Sequence, residues 1–323
     1  MKKTIRLFSL KNEGAMKTQK ILLILSLCAA IGCSKENLPE NTREISFSAE
    51  FESTGIDGKA VFDGTSFTFE NNDKIRVCEK ERTNKKSFTF NSSTRKFTGI
   101  GLNESDCYYC VFRYQATAAP GSSVTTQVAN LDAPASGYDV RLYSTIYDHQ
   151  QAVLNGYDTQ SAPMYGKALA SDMTFKFILG VSLLKIDLQY EGITSVVLTS
   201  LNGTTLTGNC GYDLKDEDGD GWFDGFSLRN WDTGNSSTIT LIPPVDQTTF
   251  PKGVYYIVAR PGKTHGGGLS ITLYNGETPV KTFSKASSVT LNRAKIRNLG
   301  TFSGGTVEGP NKPFTNESDY ILE

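Results

Sequence analysis

From residue 44 onward the chain alternates apolar and polar positions. In REISFSAEF, Ile45, Phe47, Ala49 and Phe51 are apolar and their neighbours polar, the period-two pattern of a half-buried strand. KAVFDGTSFTFE follows, with Asp63-Gly64 as a hairpin turn signal. DKIRVCE, SFTFNSSTRKFTG and DCYYCVFRYQA continue the rhythm. Residues 116–156 are softer and rich in Ala, Ser and Thr, with strand-like fragments SSVTTQV and VRLYSTIYDH. APMYGKA, residues 162–168, reads as a connector. The rhythm resumes in MTFKFILGVSLLKIDLQY, where Gly180 and Leu183-Leu184 suit a bulge or a short helix. Strand-like segments from SVVLTSL to KIRNLGTF complete the pattern. Turn signals recur about every 8–12 residues, the spacing of antiparallel sandwiches. The expected fold is all-β, with two tandem antiparallel β-sandwich domains, residues 44–165 and 166–303. Each is about the size of one sandwich. The Gly- and Pro-bearing tail, residues 304–323, is expected to be flexible.

Composition supports strands and turns: 30 Gly, 14 Tyr and 18 Phe stand beside abundant Ser and Thr. Lys and Arg total 33 against 34 Asp and Glu, a net charge of -1. Bulk charge therefore draws the chain neither to nucleic acid nor to an anionic membrane.

The N-terminus departs from the alternation. MKTQKILLILSLCAAIGC, Met16 to Cys33, has a Lys-bearing start and an apolar run from Ile21 to Ile31. It is too short for a stable membrane span and reads as a secretory signal peptide, residues 1–33. Residues 1–15 lack an apolar run, so Met16 is a candidate true start. The ending AIGC resembles a bacterial lipobox, which needs a small residue before the lipidated Cys. Gly32 meets that need before Cys33, whereas Leu27 before Cys28 does not. Lipidation of Cys33 is expected; the alternative is a plain signal peptide with an incidental Cys. Residues 34–43, polar and Pro-bearing, read as a tether.

The remaining cysteines are Cys78, Cys107, Cys110 and Cys210. Cys107 and Cys110 form a CxxC within a strand pattern. Residues three apart on a strand face opposite ways and cannot share a metal. All four read as small buried residues; a Cys78–Cys107 disulfide stays open.

DEDGDGWFDGFS, Asp216 to Ser227, carries the clearest site-like spacing. Asp216, Asp218 and Asp220 stand at positions one, three and five, Gly221 at six and Asp224 at nine. This matches the opening of a calcium loop, in which the Trp222 carbonyl would serve at position seven. Ser227 stands where an EF-hand has a bidentate Glu, and the flanks read as strands. The expectation is a structural Ca2+ at a hairpin tip, offsetting carboxylate repulsion. The alternative is a solvated acidic turn, which Asp-Gly also suits.

Nothing points to catalysis. His149 and His265 are the two histidines and sit in unlike segments. THGGG, residues 264–268, reads as a turn between strands, and there is no G-x-S-x-G elbow. No P-loop or dinucleotide fingerprint is present. Trp222, Phe223 and Trp231 are candidates for stacking on sugar rings, which leaves open a surface glycan-binding lipoprotein of a nutrient-uptake system.

Taken in order, ISFSAEF, FTFENNDKIRV, CYYCVFRYQA, APMYGKA with MTFKFILGVSLLKIDL, GVYYIVARPG and VTLNRAKIRNLGTF resemble the fimbrillin-like lipoproteins of Bacteroidetes, subunits of the type V pilus. Arg113 stands where the family's aromatic strand usually has Pro. The resemblance spans the mature chain and implies two transthyretin-like β-sandwiches, export as an outer-membrane lipoprotein, and a role in adhesion as a shaft, anchor or tip subunit. It implies other fimbrial subunits as partners, joined by β-strand addition. In the family a trypsin-like protease cuts after a basic residue in the first domain and frees a groove. Arg43, before Glu44, is the candidate site for maturation or tether release. The tail PFTNESDYILE, with Phe314, Tyr320, Ile321 and Leu322, is a candidate donor strand.

Overall fold

The computed structural model describes residues 43–51, 68–112, 116–117, 119–122, 126–127, 130–230, 235–303 and 319–321. The signal peptide, Cys33, the tether up to residue 42, the Asp63-Gly64 turn and Trp231 lie outside the described residues. The described structure is all-β, with a single short 3-10 turn at Thr159–Ser161.

Seven strands close into a barrel: β1 (Glu44–Phe51), β2 (Lys74–Glu79), β3 (Lys85–Asn91), β4 (Lys96–Ile100), β5 (Cys107–Phe112), β11 (Met164–Leu169) and β12 (Thr174–Leu179). Their order is β1-β12-β11-β5-β2-β3-β4, and β1 meets β4 to shut the ring. Closure removes sheet edges that would otherwise expose unpaired backbone. The inward positions are mostly aromatic. Phe69 sits 4.8 Å from Phe97, 5.2 Å from Phe112 and 5.1 Å from Phe177, ring centre to ring centre. Phe47, Phe88, Phe97, Phe175 and Phe177 are fully buried. The alternation of Phe and polar residues in the sequence is the trace of this interior.

Between the barrel strands the chain forms β6 (Ala116–Thr117), β7 (Thr126–Gln127), β8 (Asn130–Asp132), β9 (Val140–Ile146) and β10 (His149–Gln151). The rest is β13 (Ser182–Leu188), β14 (Ser195–Ser200), β15 (Gly208–Lys215), β16 (Gly225–Asn230), β17 (Thr238–Ile242), β18 (Gly253–Ala259), β19 (Lys263–His265), β20 (Leu269–Asn275), β21 (Thr278–Lys285), β22 (Val289–Leu291), β23 (Lys295–Phe302) and β24 (Asp319–Ile321). One sheet runs β10-β17-β14-β20-β21 and another β18-β13-β23-β24. They enclose a second core, in which Leu184, Ile186 and Leu188 of β13 meet Val196, Leu198, Ile271 and Leu273. A third sheet, β16-β15-β9-β8, carries the acidic loop.

The pairings cross the division expected after residue 165. That position falls inside β11, and β12 pairs with β1 at the start of the chain. β9 and β10 pair with β15 and β17 far downstream. The described residues from Glu44 onward accordingly group as one compact unit. Met164 to Ala168 of APMYGKA lie in the central barrel strand β11, bonded to β5 on one side and β12 on the other, where a connector was expected. Its first five residues are buried, so it lacks the polar alternation that marks a half-buried strand. Likewise Leu183 faces the barrel-side core and Leu184 the sandwich core, so both faces of β13 are covered.

All six residues of β5 are buried, and the four described cysteines are free thiols. The disulfide left open for Cys78 and Cys107 is absent. Burial pushes the Cys78 thiol up to about 12 and Cys110 well above its usual range, so these thiols are inert.

Candidate assembly edges and acidic loop

β1 divides its backbone between two neighbours. Glu44 to Phe47 pair antiparallel with β4, and Ser48 to Phe51 pair parallel with β12. β4 and β12 do not pair with each other, so this one strand closes the ring. Its side chains enter the aromatic interior: Phe47 lies 4.4 Å from Phe175, 5.1 Å from Tyr108 and 5.4 Å from Phe88. Phe51 lies 5.1 Å from Phe69 and 5.7 Å from Phe177. Arg43 is exposed directly ahead of this strand. A break after Arg43 would leave β1 joined to the chain; a break past Phe51 would cut its covalent link and leave it held by pairing and packing alone.

The sheet β18-β13-β23-β24 has two unlike edges. At one, β24 from the C-terminal tail pairs antiparallel with β23, Tyr320 opposite Ile296. At the other, β18 is closed by the chain itself. The Gly156 carbonyl accepts from the Tyr256 amide at 3.1 Å. The buried Gln150 amide imitates a neighbouring strand: its Oε1 accepts from the Val258 N–H at 2.9 Å and its Nε2 donates to the Val258 carbonyl at 2.7 Å. Sequence reasoning passed over Gln150, because a lone Gln in a soft segment gives no sign that it completes a sheet.

The acidic loop joins β15 to β16 as a hairpin tip. Carboxylate oxygens of Asp216, Asp218 and Asp224 lie within 4.8 Å of one another. Asp220 is not in that group; its Oδ1 accepts from the Trp222 amide at 2.7 Å. Asp216 is the anchor. Its Oδ1 accepts from Gly219 N–H at 2.7 Å, and its Oδ2 from Gly221 N–H at 2.9 Å and from Lys167 Nζ at 2.7 Å. Lys167 Nζ also donates to Asp139 Oδ2 at 3.1 Å, and that oxygen accepts from the Asp216 N–H at 3.0 Å.

Burial opposes charge on both Asp216 and Lys167, and the mutual contacts outweigh it. Asp216 is held below its usual range and Lys167 above. Asp224 is raised, first by desolvation and then by the neighbouring Asp218, Asp216 and Asp220. Lys167 is thus a built-in counter-ion on the inner side, and Asp218 and Asp224 face outward. Neither Lys167 nor Asp139 was found by sequence reasoning, although a Lys among small apolar residues in APMYGKAL was the available signal.

The aromatic candidates separate here. Phe223 is buried and stacks on Tyr109 at 6.3 Å, anchoring the loop to the barrel. Trp222 is half-buried, with Lys176 Nζ 5.6 Å from its ring centre. The same ammonium donates to the Asp220 carbonyl. The run from Thr264 to Gly268 joins β19 to β20, and the two histidines lie apart: His149 beside Asp148 at 3.6 Å, His265 beside Ser200.

No protein-family model matches the chain. No curated protein matches it either. Solved structures do. One is a Bacteroides ovatus protein provisionally named a cell adhesion protein, with 10% identity, TM-score 0.43, and coverage of 82% of this chain and 94% of that one. A fimbrial assembly protein from Parabacteroides distasonis is 12% identical, with TM-score 0.33 and coverage of 82% and 93%. A fimbrial protein from Bacteroides ovatus is 15% identical, with TM-score 0.33 and coverage of 84% and 50%. The solved structures to which this chain is similar, all at low sequence identity, thus carry adhesion and fimbrial names.

Proposed function

We propose that this chain is a fimbrial subunit, as shaft, anchor or tip, exported as an outer-membrane lipoprotein through Cys33 and assembled with other subunits by β-strand addition. The observation that carries the reading is β1. Among the described residues it is the first strand and alone closes the barrel, and it fills an aromatic groove between two strands that do not pair with each other. A barrel closed by a terminal strand is suited to exchange, because the groove offers both apolar pockets and unpaired backbone groups to an incoming strand. The chain needs no catalytic residue for this role.

The reading is tested on outer-membrane fractions of the native bacterium, run unboiled and boiled on a denaturing gel, probed with antibody, with the mature N-terminus sequenced. A heat-sensitive ladder is expected. An N-terminus at Glu44 would mean tether release with β1 retained, and one beyond Phe51 would mean that β1 had been cut from the chain. A single monomer band still lipidated at Cys33 would remove the shaft role and leave an anchor, a lipid-held tip or a glycan-binding lipoprotein.

Within the same reading the acidic loop staples the β15–β16 hairpin, with Ca2+ held by carboxylate oxygens of Asp216, Asp218 and Asp224. Calcium should raise the unfolding midpoint, by about 2.7 kcal/mol of stability at about 100-fold excess over its dissociation constant. The rise should vanish in Asp218→Asn/Asp224→Asn. An unchanged midpoint in calcium and in chelator would leave an acidic turn held by Lys167 alone.

A further inference from the structure

His265 ends β19 and is fully buried. Its Nδ1 lies 2.8 Å from Ser200 Oγ at the end of β14. Ser200 Oγ also lies 2.9 Å from Asn202 Oδ1, which accepts from the Thr204 N–H as well. A carbonyl oxygen only accepts, so the hydroxyl proton goes to Asn202 and the imidazole Nδ1–H donates to Ser200. Nε2 is then a bare nitrogen, buried and without a hydrogen-bond partner among the described residues.

The residues after His265 tie the same corner together. Gly268 N–H donates to the His265 carbonyl at 2.9 Å, and the Gly268 carbonyl accepts from Leu201 N–H at 3.0 Å. Gly268 has a φ of 86°, and a Cβ there would stand 1.7 Å from the Lys285 carbonyl oxygen. The ends of β14, β19, β20 and β21 thus converge with no slack.

Protonation of Nε2 would create a buried cation with an unmet N–H donor. Among the described residues no opposite charge acts on this imidazole, and burial alone shifts it. The ionisable residues on the surrounding strands are Lys263 on β19, Tyr274 on β20, Lys281 and Lys285 on β21, and Lys295 and Arg297 on β23. β14 and β22 carry none, and none of these strands has an Asp or Glu; on β13, beside β23, stand Lys185 and Asp187, whose carboxylate accepts from Gln189 Nε2 at 2.6 Å and Thr301 Oγ1 at 3.0 Å.

We propose that His265 is an acid-sensitive latch for this corner of the sandwich. Neutral, it ties β14 to the Gly266–Gly268 turn; protonated, it releases the turn and the corner opens. This is independent of the fimbrial reading. Burial holds the imidazole down to about 4, against an ordinary 6.5. The opened state therefore takes the proton first. The latch's contribution is fully present above about pH 6.5 and is lost as pH falls toward 4.

The test is native-state hydrogen exchange on the intact protein, corrected for intrinsic rates, at the Leu201 and Gly268 amides. Their opening constants should rise on the order of 50-fold between pH 7 and pH 4.5. The barrel amides of Val77 and Cys110 serve as controls and should change far less. His265→Gln and His265→Leu, which cannot titrate, should flatten the rise. In the wild type the imidazole C–H resonance, followed by NMR, should titrate below pH 5. A native imidazole titrating near 6.5, an equal rise in the barrel amides, or a rise that persists in either folded variant would each overturn the latch. If neither variant folds, the wild-type titration and the contrast with the barrel amides still decide.

Discussion

Phe47→Ala should cost the protein about 3–5 kcal/mol of unfolding free energy, the range for truncating a buried Phe. Phe47 is fully buried and touches rings from β3, β5 and β12, so its loss opens a cavity where three strands meet. The rings around it are held by closed-barrel pairing and have little freedom to collapse into the space. A urea unfolding midpoint measures the effect, with Ser46→Ala as the neighbour on the same strand expected to stay within about 0.5 kcal/mol. A loss below about 1 kcal/mol for Phe47→Ala would show that β1 is only loosely seated. That would withdraw the support β1 gives to assembly by strand addition. If strand addition operates, a peptide spanning Glu44–Phe51 should bind a chain from which β1 has been cut and should leave the uncut chain alone.

Lys167→Met should be comparably damaging, about 3–5 kcal/mol at neutral pH. The Asp216 side chain is completely buried and that of Lys167 nearly so, and Asp139 completes the triad. Removing the ammonium leaves two carboxylates facing each other with only backbone N–H donors. The pH dependence distinguishes this from lost packing. In the wild type Asp216 is held below its ordinary value, so its contribution is present above about pH 4 and lost as pH falls further. In the variant, burial without Lys167 raises Asp216, so acid relieves the strain. The gap between the two proteins should therefore narrow from pH 7 to pH 4. Asp216→Asn added to Lys167→Met should recover part of the loss at pH 7. A gap that is constant with pH would mean that Lys167 contributes through its aliphatic stem alone.

These two sites mark what could be read along the chain. Phe47 was legible, because β1 is half-buried and its polar and apolar residues alternate. The hairpin at Asp216–Asp224 was legible too, since Asp-Gly spacing and flanking strand patterns are local. β11 was not. Its residues are buried on both faces, and alternation disappears when no face meets water. Lys167 shared that fate, standing in an apolar segment whose partners lie 28 and 49 residues away. Gln150 was hidden for a related reason: its partner Val258 is 108 residues distant.

The sequence by itself determined that this is a β protein and that its turns include an acidic hairpin. These follow from period, turn chemistry and composition, which act over a few residues. Tertiary structure decided which strand closes the barrel, which edges are sealed, and that Asp216 carries its own counter-ion. It also decided that the described residues from Glu44 onward pack as one unit, with strand pairs that cross the expected boundary. Those outcomes depend on backbone groups and charges finding partners far along the chain, where burial makes an unpaired group costly.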